Sequence, residues 1–217
     1  KASMALGGIP AAIVEMHEKG LVRTVACSQS FDAVAAKAIV DYPGIIEIDN
    51  SLYANPARKG CMLNRETFGI LAALEVDIDF NVNILTGSNG EMMGGLGGGP
   101  DVAAGAQISI VVLPIVRGRI PSVVKKVFTC CTPGDTVAVV ITEAGIALNP
   151  NHKNYQELKE DLEKTSLKLV TIEELRQTAE GLTGTPKPIE CTDKITCIVE
   201  YRDGTVLDVI REIKKQD

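Results

Sequence analysis

The sequence predicts an α/β fold with a mostly parallel central sheet flanked by helices. Three observations carry that expectation. Residues 45–48, 68–74 and 107–113 are apolar runs between polar turns, the pattern of inner strands covered on both faces. Helical and strand-like segments alternate through residues 10–48. Apolar residues make up 45% of the 217-residue chain, yet aromatics reach only 4% and Trp is absent. The core must then be Val, Ile, Leu and Ala, which suits buried parallel strands.

Residues 10–20 read as a helix, with Pro10 near its start, Lys19 near its end and Gly20 as the stop. Residues 21–27 have the β-branched content of a strand. A second helix begins at Ser30-Phe31-Asp32, runs through Val40 and is closed by Pro43-Gly44. Residues 45–48 form a short buried strand that ends in Asp49-Asn50-Ser51. The polar loop 53–60 is rich in turn formers. A strand covers 68–76, and residues 77–83 then alternate polar and apolar. Residues 107–113 form a strand reached by a crossover connection. Arg117-Gly118-Arg119-Ile120-Pro121 is a basic turn. Residues 122–131 and 136–142 are β-rich, with the turn Thr132-Pro133-Gly134-Asp135 between them, and Asn149-Pro150 ends this core. Residues 155–165 and 171–181 are amphipathic helices, the second opening on a Thr171-x-x-Glu174 capping box. Residues 191–201 and 205–210 form a β-hairpin turning at Asp203-Gly204.

Composition removes several classes of function. Net charge is −6 and no basic stripe interleaved with aromatics occurs, which argues against nucleic-acid binding. No apolar run is long enough to span a bilayer, and no signal-peptide pattern opens the chain. The six cysteines (27, 61, 130, 131, 191 and 197) form no CxxC pair and fall largely in strand-like runs. They read as reduced, buried thiols of a cytoplasmic protein, with no disulfide framework and no metal site. His17 and His152 have no ligand-spaced partner and read as surface residues. The chain begins at Lys1 and enters almost at once into Gly7-Gly8-Ile9-Pro10, as a piece of something longer would.

Residues 87–105 are the unusual stretch: eight of nineteen are glycine, between two strand-like runs. Glycine admits positive φ and lets a ligand approach the amides with no Cβ in the way. Successive exposed N–H groups suit an anion or a developing oxyanion. Met92, Met93, Leu96 and Val102 are interleaved, where a flexible linker would carry Ser or Lys. The stretch lacks the GxGxxG spacing of a dinucleotide site and the Gly-Lys-Ser/Thr ending of a P-loop. It reads as a backbone-lined site.

Gly94-Gly-Leu-Gly-Gly-Gly-Pro-Asp101-Val-Ala-Ala-Gly105-Ala106 resembles the GG-x-GG-x-x-D-x-x-x-GA segment of coenzyme A transferases. More narrowly, Gly7-Gly-Ile-Pro-Ala-Ala12, Gln29-Ser-Phe-Asp32, Tyr53-Ala-Asn-Pro56 and Leu74-Glu-Val-Asp-Ile-Asp-Phe-Asn-Val-Asn83 resemble the citrate lyase alpha chain family. So do Thr86-Gly-Ser-Asn-Gly90, Arg117-Gly-Arg-Ile-Pro121 and Glu200-Tyr-Arg-Asp-Gly-Thr-Val206. The likeness runs over the whole chain and is to the second of that family's two related α/β domains.

What the resemblance implies is a single coenzyme A transferase-like domain over residues 1–217, with a core at 1–150 and a helical and hairpin extension at 151–217, half of a longer two-domain chain. Its activity is of the citrate CoA-transferase type: acetyl thioester and citrate give citryl thioester and acetate. The thiol belongs to an acyl carrier protein or coenzyme A, which is substrate; no tightly bound cofactor is implied. Implied partners are a companion N-terminal transferase domain, the lyase beta and acyl-carrier gamma subunits and small carboxylates, in an oligomeric assembly. Neither nucleic acid nor membrane is among them. Many coenzyme A transferases carry a nucleophilic Glu in a Ser-Glu-Asn-Gly turn; here the string is Asp49-Asn50-Ser51-Leu52, in keeping with a family that forms no covalent glutamyl intermediate. Gly99-Pro100 also departs from the family's His-Ser.

The candidate catalytic residues are Gly95, Gly97 and Gly98, as oxyanion-stabilising amides, with Asp49 and Ser51. The candidate substrate-binding residues are Tyr53, Asn55, Arg58, Asn89, Gly94, Gly99, Arg117 and Arg119, the arginines because guanidinium forks match carboxylates. Lys59 reads as a surface charge. Residues 94–99 are expected to border a pocket. An apolar patch for the companion half is expected near Gly7-Gly8 and residues 53–60. A coenzyme A transferase for another small carboxylate, or a non-catalytic domain of this fold that binds a thioester or a partner, are the alternatives.

Overall fold

The computed structural model describes residues 1–87 and 89–214, so Ser88 of the glycine-rich stretch lies outside the described residues. The chain forms two compact units, Lys1–Asn64 and Arg65–Asp217.

The first unit alternates strand and helix: β1 (Ala2–Ile9), α1 (Ala11–Glu18), β2 (Val22–Ser30), α2 (Ala33–Asp41), β3 (Ile45–Glu47) and the short α3 (Asn50–Ala54). The three strands pair in parallel in the order β1-β2-β3. Asp32 ties two helices at their starts, accepting from Ala35 N at 2.8 Å as the α2 cap and from Ala11 N at 2.7 Å. Val14, Val25, Ala35, Ala38 and Ile45 close the core between sheet and helices. The sequence reading assigned no strand to β1, whose small residues have weak β propensity; pairing along the whole of β2 overrides it. It also took residues 45–48 as an inner strand. β3 is an edge, with Ile45 buried and Ile46 45% exposed.

The second unit runs β4 (Phe68–Ala72), β5 (Glu75–Asp77), β6 (Val82–Asn83), α4 (Gly99–Gly105), β7 (Ile108–Val112), β8 (Val116–Arg117), β9 (Ile120–Pro121), β10 (Val123–Val124), β11 (Val139–Thr142) and β12 (Gly145–Leu148). It ends with α5 (Tyr155–Glu163), β13 (Leu169–Val170), α6 (Ile172–Thr183), β14 (Cys191–Glu200) and β15 (Val206–Ile213). Its main sheet has the order β13-β12-β11-β7-β4, parallel except for the β11–β12 hairpin. A smaller sheet, β10-β5-β6, packs into the same core through Val76, Val82 and Val123, which α6 covers with Leu175 and Ala179. The Thr171–Glu174 capping box and the β14–β15 hairpin form as the sequence predicts.

Three expectations fail here. β4 is the sheet edge rather than an inner strand, leaving Phe68 55% and Ile70 73% exposed. Residues 122–131 contain just the two-residue β10. Beyond it, carboxylates replace the ladder: Asp77 Oδ2 accepts from Val127 N at 3.2 Å, and Asp208 Oδ2 from Cys130 N at 2.8 Å. His152 is buried, not a surface residue, and its Nδ1 accepts from Asn154 N at 3.2 Å. Burial holds its imidazole below the ordinary range, with help from Lys153. Of the cysteines, Cys27, Cys61 and Cys131 are buried as expected, while Cys197 is exposed. Among the described residues no helix is long and apolar enough to cross a membrane.

Candidate functional site

In the first unit the candidate residues gather beyond the carboxyl ends of the parallel strands, where open α/β sheets bind ligands. Asp49 leaves β3 and caps α3: its Oδ1 accepts from Leu52 N at 2.8 Å and from Arg58 Nη1 at 3.3 Å. The Leu52 N–H, then Arg58, holds this carboxyl below the usual carboxylate range. A carboxylate so occupied is a weak nucleophile, in line with the missing glutamate turn. Ser51 Oγ accepts from Asn55 Nδ2 at 3.2 Å, and Asn55 Oδ1 from Ala57 N at 2.9 Å. The Tyr53 ring lies against Gly7, where φ is +105° and an added Cβ would stand 2.9 Å from the Tyr53 hydroxyl. Phe31 covers Gly8 in the same way. Two rings thus cover Gly7-Gly8, of which Phe31 is itself 62% exposed and leaves apolar surface there, while residues 55–60 are exposed and include Arg58 and Lys59. In the second unit exposed apolar side chains stand on the β4–β7 face, at Phe68, Ile70 and Val112.

In the second unit the glycine-rich stretch has two parts. Residues 89–93 fold back on 85–87, with Gly87 N donating to Glu91 O at 2.9 Å and Met93 N to Leu85 O at 2.6 Å. Residues 94–98 then stand open. A Cβ at Gly94, Gly95 or Gly97 would meet nothing within 4 Å, and Gly97 has φ of +57°. The amides of residues 94–98 donate to no acceptor among the described residues. Gly98 caps α4, so the last seven residues of the stretch are helix, not loop. Gly69 lets α4 lie close on β4, for a Cβ there would come 2.6 Å from Val102 Cγ1. Leu96 packs on the cluster of Leu85, Cys131, Val199 and Ile210. Met92 and Met93, two of the interleaved apolar residues, are exposed.

Arg117 and Arg119 flank Gly118 on the tight β8–β9 hairpin, where φ is +62°. Arg119 and Asn89 share a cavity of about 620 Å³ that Pro121, Lys187 and Lys214 also line. Asn89 Nδ2 donates to Glu91 Oε2 at 2.7 Å on its wall. Residues 94–99 are not among the lining of this cavity: they are a surface platform, and a Cβ added at Gly99 would stand 3.6 Å from Ile84 Cδ1. The sequence reading missed one pair beside them. Arg202, in the β14–β15 turn, meets Asp101 on the first turn of α4 at 3.3 Å. Asp101 in the glycine motif was a signal that a partner exists; nothing local pointed to Arg202.

Comparison with known proteins gives the family and the fold. The sequence model of the family described as citrate lyase, alpha subunit (CitF), matches residues 1–213. The citrate lyase alpha chain of Klebsiella pneumoniae is 50% identical over 216 residues, covering 100% of this chain and 42% of its own. That of Escherichia coli K12 is 47% identical, covering 99% and 42%. The chain thus spans less than half the length of these relatives. A crystal structure of the citrate lyase alpha subunit of Streptococcus mutans in complex with citrate superposes with a TM-score of 0.94 at 45% identity, over 99% of this chain and 42% of that one. A malonate decarboxylase alpha subunit from Acinetobacter baumannii shares the fold alone, at 14% identity and a TM-score of 0.54 over 86% of this chain and 47% of that one.

Proposed function

The chain belongs to the citrate lyase alpha subunit family, and from that premise we propose that it forms part of a coenzyme A transferase-like site exchanging acetyl for citryl on a carrier thiol. The observation that carries this reading is the row of amides at residues 94–98 with no acceptor among the described residues, open on one side and anchored on the other by Leu96 and α4. A carboxylate that exchanges with a thioester must pass through a tetrahedral oxyanion, and preorganised N–H donors are what that species requires. With Asp49 engaged as a helix cap, the chain needs no covalent glutamyl step. A citrate carboxylate attacks the acetyl carbonyl and the thiolate departs, leaving a mixed anhydride. The thiolate then attacks the citryl carbonyl and acetate leaves.

In the first unit Arg58 is the cation and Tyr53 and Asn55 the neutral groups offered to a carboxylate, with Ser51 beside Asp49. In the second unit Arg119 and Asn89 line one cavity, and Arg117 stands on the same hairpin as Arg119. The relatives' extra length supplies the companion half, which docks on the apolar face of Phe68, Ile70 and Val112. Lyase and acyl-carrier subunits complete a cytoplasmic assembly. The test is an acyl-exchange assay on the complete protein, using acetyl-carrier or acetyl-coenzyme A and a panel of carboxylates. Citrate-dependent release of acetate supports the reading. Release with another carboxylate and not with citrate moves the reading to a different acceptor, and no release with any of them overturns it.

A further inference from the structure

Open glycines make a poor oxyanion site unless something fixes them, because ordering glycine backbone costs the most entropy of any residue. Between Gly90 and Asp101 the stretch meets the β14–β15 hairpin at three points. Gly90 lies against Ile213, whose Cδ1 would stand 2.8 Å from an added Cβ. Leu96 rests on the cluster that includes Val199 and Ile210, 2% and 5% exposed. Arg202 reaches Asp101 twice: Nε pairs with Oδ1 by charge at 3.3 Å, outside hydrogen-bond alignment, and Nη1 donates to the backbone oxygen at 3.4 Å.

The hairpin is itself firm. Its turn is closed by Tyr201 N to Thr205 O at 2.8 Å and by Asp203 Oδ1, which accepts from Thr205 Oγ1 at 2.6 Å. Asp208 anchors its second strand to Cys130 N at 2.8 Å. The Arg202 and Asp101 side chains are 13% and 26% exposed.

We infer that Arg202 is the positioning residue of the glycine platform: by clasping Asp101 on the first turn of α4, it holds the 94–98 amides where an acyl thioester can use them. The inference rests on the acyl-exchange reading above. Arg202 touches no reacting group and acts through Asp101. Burial raises the Asp101 carboxyl above its ordinary range while Arg202 opposes the shift, so removing Arg202 leaves a half-buried carboxylate uncompensated.

The test uses the complete protein carrying Arg202→Ala, Arg202→Lys or Asp101→Asn, with two readouts: steady-state acyl exchange, and deuterium uptake by a peptide covering residues 99–106. Misplacing a site by about 1 Å costs roughly 10²-fold in rate. Arg202→Ala should therefore lower kcat by about tenfold or more, leave KM for the thioester within about threefold, and raise uptake in α4. Arg202→Lys should restore part of both, and Asp101→Asn should resemble Arg202→Ala. If Arg202→Ala does not accumulate folded, the other two variants decide by the same criteria. Unchanged kcat, a loss confined to KM, or unchanged α4 uptake overturns the inference. Should the wild type exchange no acyl groups, the proposed function fails and α4 uptake alone decides whether Arg202 is the clasp.

Discussion

Replacing Gly69 with alanine puts a methyl group where α4 leans on β4. The new Cβ would stand 2.6 Å from Val102 Cγ1 and 3.2 Å from Ala106 Cβ. Ordinary carbon contacts lie at about 3.5–4.0 Å, so α4 must retreat by roughly 1 Å. Val102 cannot turn aside, because β-branched side chains are stiff at χ1 and this one is 8% exposed. Overpacking of this kind costs about 1–3 kcal/mol, against roughly 0.5–1 kcal/mol recovered by removing a strand glycine. The expected net loss is about 1–2 kcal/mol in urea unfolding. Because α4 carries Gly98 with it, acyl exchange should fall too. Gly69→Ala combined with Val102→Ala removes the clash, and its coupling energy should reach about 1 kcal/mol in the stabilising direction. A Gly69→Ala protein as stable and active as wild type, or a double variant that is merely additive, would refute the close approach of α4 to β4.

Burial, then the Asp208 carboxylate, pushes the Cys130 thiol up to about 12. At about pH 8 iodoacetamide should therefore label the exposed Cys197 and spare the partly buried Cys130 in the folded protein, and equal labelling would contradict that setting. The depressed His152 imidazole should contribute stability that is present above its unfolded pKa of about 6.5 and is lost as pH falls through the lower folded value. Melting curves between pH 7.5 and 5 should therefore drop more steeply for wild type than for His152→Gln, and parallel curves would count against it. The Phe68, Ile70 and Val112 face should make Ile70→Asp lose binding to the companion half without loss of melting temperature; undiminished binding would move the docking surface elsewhere.

Much of the fold is legible because its signals are local. Asp32 and Thr171 announce their helices through caps that act within three residues, and Asp203-Gly204 announces the hairpin. Burial sidedness is not local: an apolar run such as residues 68–72 states that a strand exists and says nothing about what covers it. Glu75, at the end of the predicted 68–76 strand, and Asp77, at the start of the alternating segment, accept from amides 53 and 50 residues away, which no local pattern states. The glycine platform was visible as composition, since few other roles tolerate so much glycine. Its clasp was not, because Arg202 lies 101 residues beyond Asp101. A valine at Gly97 meets a backbone at φ +57° and strains it, so loss of activity there would not isolate the amide row.

Gly95 offers the clean measurement. Its φ is not in the left-handed region, and an added Cβ meets nothing within 4 Å, so Gly95→Val should change the approach to the amides and little else. Losing one oxyanion donor costs about 10²–10³ in kcat where such donors operate. In the complete protein, Gly95→Val should therefore lower citrate-dependent acyl exchange by about 10²-fold or more at an unchanged melting temperature. Wild-type turnover from Gly95→Val would contradict the account, and would mean that the glycine row shapes the surface without taking part in the reaction.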